Sequence, residues 1–175
     1  MLDSAFSSII HELFSVVPPS SLYDEGVDAS NTFITSDGAE YLLEDIKIGF
    51  FKSGHSLGLS VVPEYGFYIE SNGEKLLFPT DVRDYSFIYP KFEDVRILFA
   101  HLWLGKGQAL NLYDNEYIDK FCEFVKGFGA EKNYIAHLYD VHRTIDEMWS
   151  NMHYEHIKDS LDNARIFDLL DVIEL

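Results

Sequence analysis

Cysteine is almost missing: Cys122 stands alone among 175 residues. No internal disulfide can form, and a reducing, cytoplasmic compartment is the expectation. Basic residues are scarce as well, 13 Lys and Arg against 30 Asp and Glu, for a formal net charge of -17. The long-range field therefore repels polyanions and excludes a basic nucleic-acid-binding surface. A bound cation would still draw a phosphodiester locally, because a metal ion outweighs the charges around it. Long hydrophobic runs are missing too. The opening MLDSAFSSIIHELFSVVPPSS has no basic leader and its apolar positions are spaced, so neither a signal peptide nor a membrane span is expected. No repeat or low-complexity stretch interrupts the chain.

What is present belongs to a folded domain: 47% hydrophobic and 15% aromatic residues against 25% charged. The length fits a single domain over 1–175, divided into an N-terminal helix and connection over 1–44 and a strand-rich region over 45–175. Leu2, Phe6, Ile9, Ile10, Leu13 and Phe14 recur at helical spacing, and Pro18 and Pro19 end the run. The segment FITSDGAEYLL reads as a short hairpin about Asp37 and Gly38, after a polar connection over 20–31.

From Asp45 the strand signals strengthen through DIKIGFF, LGLSVV, GFYIES and EKLLFP. Asn72-Gly73 supplies the two positive-φ residues of a type I′ turn, which sets Ser71 opposite Glu74 and Glu70 opposite Lys75. Phe67, Tyr68 and Ile69 then face Leu76, Leu77 and Phe78 without polar alternation, which predicts a hairpin covered on both sides. VRILFAHLWL predicts a further strand. DNEYIDKFCEFVKGFG predicts a helix with Ile118, Phe121, Cys122 and Val125 inward, ended by Gly127 and Gly129. KNYIAHLYD gives a short strand, a long helix follows Thr144, and ARIFDLLDVIEL closes the chain with a last strand. This order of strands and helices argues an α/β fold.

Three polar residues share one description: His55 in FFKSGHSLG, Asp81 in LLFPTDVRDY and His137 in YIAHLYD each follow a buried strand. Sites in α/β sheets collect at such ends, where the backbone is held and the side chain leaves the core. Neutral imidazole and carboxylate are ligands for zinc and similar first-row ions. Each also has an ordinary alternative: a strand-end His hydrogen-bonding a neighbour, or an Asp capping a turn.

The segment GHSLGLSVVPEYGFYIESNGEKLLFPTDVRDY resembles the C-terminal half of the metallo-β-lactamase superfamily: a ligand His in "GHS", a hairpin, and a strand ending at the metal-bridging Asp. DVRILFAHLWLG, the helix after it and YIAHLYD are similar to the family's next strand, helix and final ligand His. FDLLDVIEL is similar to its closing strand, with Leu169 where Gly is common. The resemblance covers about 45–175 and implies half of an αββα sandwich, a mixed sheet with helices on its outer face. It implies a metal-dependent hydrolase acting on a phosphodiester or ester. His55 would hold one ion, Asp81 would bridge two, and His137 would hold the other, the ions being zinc, manganese or iron. His101 would be a proton donor or a neighbour of the ligands. The family's upstream HxHxDH motif has no counterpart, and His11 is the only earlier histidine. Several ligands of the family set are therefore missing. The expectation is a piece of a longer or split protein, a chain that pairs with itself as a dimer or with a partner chain over its open apolar face, or a degenerate member that serves as a non-catalytic interaction module.

Other residues carry weaker signals. His142 suits a substrate contact or the start of a helix. His153 and His156, one helical turn apart, suit a metal clamp or, more commonly, an exposed face. Trp149 and Met152 read as core, and Cys122 as a small buried hydrophobe. Glu64, Glu70 and Asp84 leave open the paired carboxylates of a glycosidase.

Overall fold

In the computed structural model, the described residues are 15–17, 32–54, 65–80, 82, 84–102, 115–136 and 151–166. Their centre is the hairpin of β5 (Tyr65–Ser71) and β6 (Glu74–Phe78). Asn72 and Gly73 take φ of 54° and 83°, as the type I′ turn requires. The register follows: Ser71 pairs Glu74, Glu70 pairs Lys75, and Phe67 pairs Phe78.

Around it the sheet grows to seven strands. β3 (Glu40–Leu43) and β4 (Ile46–Lys52) add on one side, and β7 (Val95–His101), β8 (Lys132–Ala136) and β9 (Ala164–Ile166) on the other, in the order β3-β4-β5-β6-β7-β8-β9. The pairs from β3 to β6 are antiparallel and those from β6 to β9 parallel. It follows that β4, β6, β7, β8 and β9 run the same way and end at the same edge of the sheet. Two of the parallel pairs have a helix between their strands: α1 (Asn115–Lys126) precedes β8, and α2 (Asn151–Ser160) precedes β9.

The helices lie on one face. On α1, Tyr117, Ile118, Phe121, Cys122 and Val125 turn inward with 5% exposure or less. They join Leu77, Leu98, Ala100 and Ile135 of the sheet and Ile157 of α2 in a single core. Glu116 in the first turn of α1 and Lys126 in its last suit the helix dipole. The stretch from β6 to β7 lies on this side as well, with Tyr85, Tyr89 and Phe92 against the core.

The opposite face is paved with rings, one from each of six adjacent strands. Tyr41, Phe50, Phe67, Phe78, Phe99 and Tyr134 follow one another at centroid separations of 5.9, 6.4, 4.6, 4.5 and 5.7 Å. All but Phe50 keep intermediate exposure. The two-sided cover expected for the β5–β6 hairpin is therefore full at Leu77 on the helix side and partial on the ring side.

One sequence expectation needs correction. Asp37 and Gly38 do form a turn, with the Ala39 amide donating to the Ser36 carbonyl at 3.0 Å, but it joins no hairpin. β2 (Thr32–Ile34) pairs in parallel with β1 (Ser15–Val17), while β3 pairs with β4 through a turn at Glu44 and Asp45. The partner of β3 was settled by its face: Tyr41 meets Phe50, an apolar match that an Asp-Gly signal does not report. The helix expected over the first residues lies outside the described residues, as does LGLSVV.

Candidate functional site

The edge where five strands end is laced together by hydrogen bonds. β4 runs on into Ser53, whose hydroxyl donates to the Pro79 carbonyl at 2.6 Å and so ties the end of β4 to the end of β6 across the intervening β5. Gly54 is held from both sides: its amide donates to Tyr89 Oη at 2.8 Å, and its carbonyl accepts from the Asp84 amide at 2.9 Å. A Cβ at Gly54 would stand 2.7 Å from Phe87 Cβ and 2.8 Å from the Asp84 carbonyl oxygen, so only glycine fits there. Farther along the edge, Tyr117 Oη donates to Tyr85 Oη at 3.0 Å, and Tyr85 Oη to the His101 carbonyl at 3.3 Å. The Leu102 amide then reaches the Ala136 carbonyl at 3.0 Å, and His101 is in register with Ala136.

His55, Asp81 and His137 themselves lie outside the described residues. The residues that adjoin them, Gly54, Thr80 with Val82, and Ala136, all belong to this edge. His101 is on the edge as the last residue of β7, half-buried, its side chain on the face that carries Phe99. Thr80, just before Asp81, takes φ of 65°, which a β-branched residue rarely adopts. Its hydroxyl is within 3.2 Å of the Tyr65 carbonyl and 2.6 Å of the Pro79 carbonyl. Strain of this kind persists where surrounding bonds over-determine the backbone.

The other described candidates lie away from this edge, except Asp84, whose amide is bonded to Gly54. His153 is buried at 6% exposure rather than exposed, because it shares the inward face of α2 with Ile157. His156 Nε2 lies 2.7 Å from Asp119 Oδ1 and links the two helices. Glu70 is held by Lys47 at 2.9 Å and Lys75 at 3.6 Å. The hydrogen bond from Lys47 keeps its carboxyl below the usual range, against the opposing effect of burial. Asp84 accepts from the Ser86 amide and hydroxyl. Glu70 and Asp84 are thus engaged in local structure rather than poised as an acid pair. Burial pushes the Cys122 thiol up to about 11, as befits a core residue and not a nucleophile. Glu64, His142, Trp149 and the side chain of Met152 lie outside the described residues. Among the described residues, no three His, Cys, Asp or Glu gather as a metal cage.

Two features escaped the sequence reading. Ser53, Tyr85 and Tyr89 bind the strand ends, and only the density of tyrosines after Asp81 hinted at it. A cleft of about 710 Å³ also opens between the β3–β4 side and the residues Phe87 to Glu93, lined by Phe51, Tyr68 and Phe92 with Lys52, Lys75 and Lys91. Tyr68 crosses the bare backbone of Gly49 there and donates to Glu40.

No family model matches this sequence, and no match was found among curated proteins. Solved structures do match. The metallo-β-lactamase fold protein YhfI from Bacillus subtilis superposes with a TM-score of 0.53 at 13% identity, covering 85% of this chain and 58% of YhfI. This chain carries part of a metallo-β-lactamase fold. A variant of CmlA β-hydroxylase matches with a TM-score of 0.50 at 15% identity, over 76% of this chain and 32% of that one. CmlA is described as a diiron β-hydroxylase from Streptomyces venezuelae. The chain thus spans less than two thirds of the length of either structure. Within the metallo-β-lactamase fold, the mixed sheet with helices on one face agrees with the architecture that the resemblance implied. No described helix is long and apolar enough to cross a membrane.

Proposed function

We propose that this chain is a metal-binding piece of a metallo-β-lactamase-type hydrolase acting on a phosphodiester or ester. The carrying observation is that β4, β6, β7 and β8 all end at one edge, where Gly54, Thr80, His101 and Ala136 stand next to or among the candidate residues. The donor set of two imidazoles and a carboxylate suits zinc, manganese or iron. In this reading His55, Asp81 and His137 would hold one cation or two, with Asp81 shared if there are two. Once bound, it supplies Lewis-acid polarisation and acidifies a water. The chain's own part is to fix these residues on rigid strand ends, while the His101 imidazolium gives a proton to the departing oxygen. A cytoplasmic setting fits the lone buried Cys122. The decisive measurement is the metal content of purified protein with Asp81→Ala beside it, followed by hydrolysis of bis(4-nitrophenyl) phosphate and 4-nitrophenyl acetate. Stoichiometric metal lost in Asp81→Ala supports the reading; metal content indifferent to that substitution removes it.

A second reading, non-catalytic pairing, draws on the half-exposed row of rings from Tyr41 to Tyr134. In it the ring face associates with a second copy or a partner chain, and the polar residues at the strand ends serve as ordinary hydrogen-bonding groups. Sedimentation equilibrium tests it: a dimer that Phe78→Glu converts to monomer supports association, and an unchanged monomer at high concentration opposes it.

A further inference from the structure

We infer that Ser53 and Tyr89 form a positioning device that sets the separation of the β4 and β6 ends, and through it the geometry of the proposed cation site. This inference rests on the hydrolase reading above. β4 and β6 are not neighbours in the sheet, since β5 lies between them. A direct bond spans the gap and ties their ends together without passing through β5. That bond is the buried Ser53 hydroxyl donating to the Pro79 carbonyl at 2.6 Å.

Tyr89 completes the device. Its hydroxyl accepts from the Gly54 amide at 2.8 Å and lies 3.5 Å from Ser53 Oγ. The proton directions are set by elimination. The Ser53 hydrogen goes to Pro79, which has only a carbonyl to offer, so Ser53 Oγ is left as acceptor for the Tyr89 hydrogen. Each hydroxyl accepts one bond and donates one, and the chain runs from the Gly54 amide through Tyr89 and Ser53 to Pro79. The Tyr89 ring is in turn clamped edge-on between Phe51, Phe87, Phe124 and Phe128, at centroid distances of 6.0, 5.0, 5.5 and 5.4 Å. The helix-side core thereby reaches the edge through a rigid phenol. Gly54, one residue before His55, has no room for a Cβ, and Thr80, one residue before Asp81, is held at positive φ. Both candidate residues thus follow a backbone position that cannot relax.

Residues that orient metal ligands typically change affinity by about 10–100-fold when removed. The test is titration of the full chain with zinc against a chromophoric chelator, with thermal unfolding recorded in parallel. Tyr89→Phe removes one oxygen and keeps the ring, so it should fold, and it should weaken zinc binding by about 10-fold or more. Ser53→Ala should do the same, Ser53→Thr should restore binding, and the double variant Tyr89→Phe/Ser53→Ala should lose no more than the weaker single, because the two act as one chain. Folded Tyr89→Phe that binds zinc as tightly as the unsubstituted chain overturns the inference while leaving the hydrolase reading in place. Unsubstituted protein that binds zinc no better than Asp81→Ala overturns both.

Discussion

The two faces of the sheet are both apolar and opposite in fate. On the helix side Phe121, Leu77, Leu98 and Ile135 are fully buried, and Tyr85, Tyr89 and Phe92 fill the space between helix and strands. On the other side the rings of Phe67, Phe78, Phe99 and Tyr134 stack on one another yet stay partly exposed. Hydrophobicity alone does not distinguish these faces; among the described residues, the two helices lie over one of them and not over the other. The buried face is organised by hydrogen bonds that reach out to the strand ends, whereas the ring face offers area.

The comparison can be broken most directly by truncation. Phe121→Ala should cost about 3–5 kcal/mol in denaturant unfolding, the usual loss for a fully buried aromatic. Phe99→Ala should cost about 1–2 kcal/mol, since its ring already meets water. Equal losses at the two positions would show that the ring face is as well covered in solution as the helix face. Next in size, Gly54→Ala should cost about 1–3 kcal/mol, because the new methyl meets backbone that cannot yield. A variant as stable as the original would mean that the edge is softer than its bonds imply.

Smaller effects sharpen the contrast without unfolding the protein. With its thiol raised to about 11, Cys122 should react with a disulfide reagent at pH 8 about 100-fold more slowly in native than in denatured protein. Comparable rates would place α1 away from the sheet. Smallest is the acid titration of Glu70, followed by carboxyl NMR. Its native midpoint should lie below the ordinary 4.5, chiefly through the Lys47 hydrogen bond. A depressed carboxyl contributes stability above its unfolded pKa, and that contribution fades as pH falls through the native midpoint. Lys47→Gln should raise the midpoint and shift that fading toward higher pH, with only a slight change in stability for so exposed a pair.

The hairpin of β5 and β6 was legible residue by residue, because Asn72 and Gly73 set its register locally and every pairing follows from the turn. The stripe of α1 was legible for the same reason: Ile118, Phe121, Cys122 and Val125 share a face by helical period. The partner of β3 was not, because two candidate strands flank it and only the match of Tyr41 to Phe50 decides between them. His153 was misjudged because a helical period says which residues lie together but not which side meets the core. At the candidate site, His101 could be placed at a strand end from its apolar approach. Ser53 and Tyr89 are 36 residues apart, and no pattern in either neighbourhood announces their contact.

From its own order the polypeptide determined strands, helices, turns and the tendency of polar residues to emerge at strand tips, since these depend on neighbours a few positions away. Only the folded sheet decided that four of those tips share an edge, because the alternation of antiparallel and parallel pairing is a long-range choice made by packing faces. It also decided which of two apolar faces the helices would cover, for burial depends on what lies overhead and not on the residues beneath.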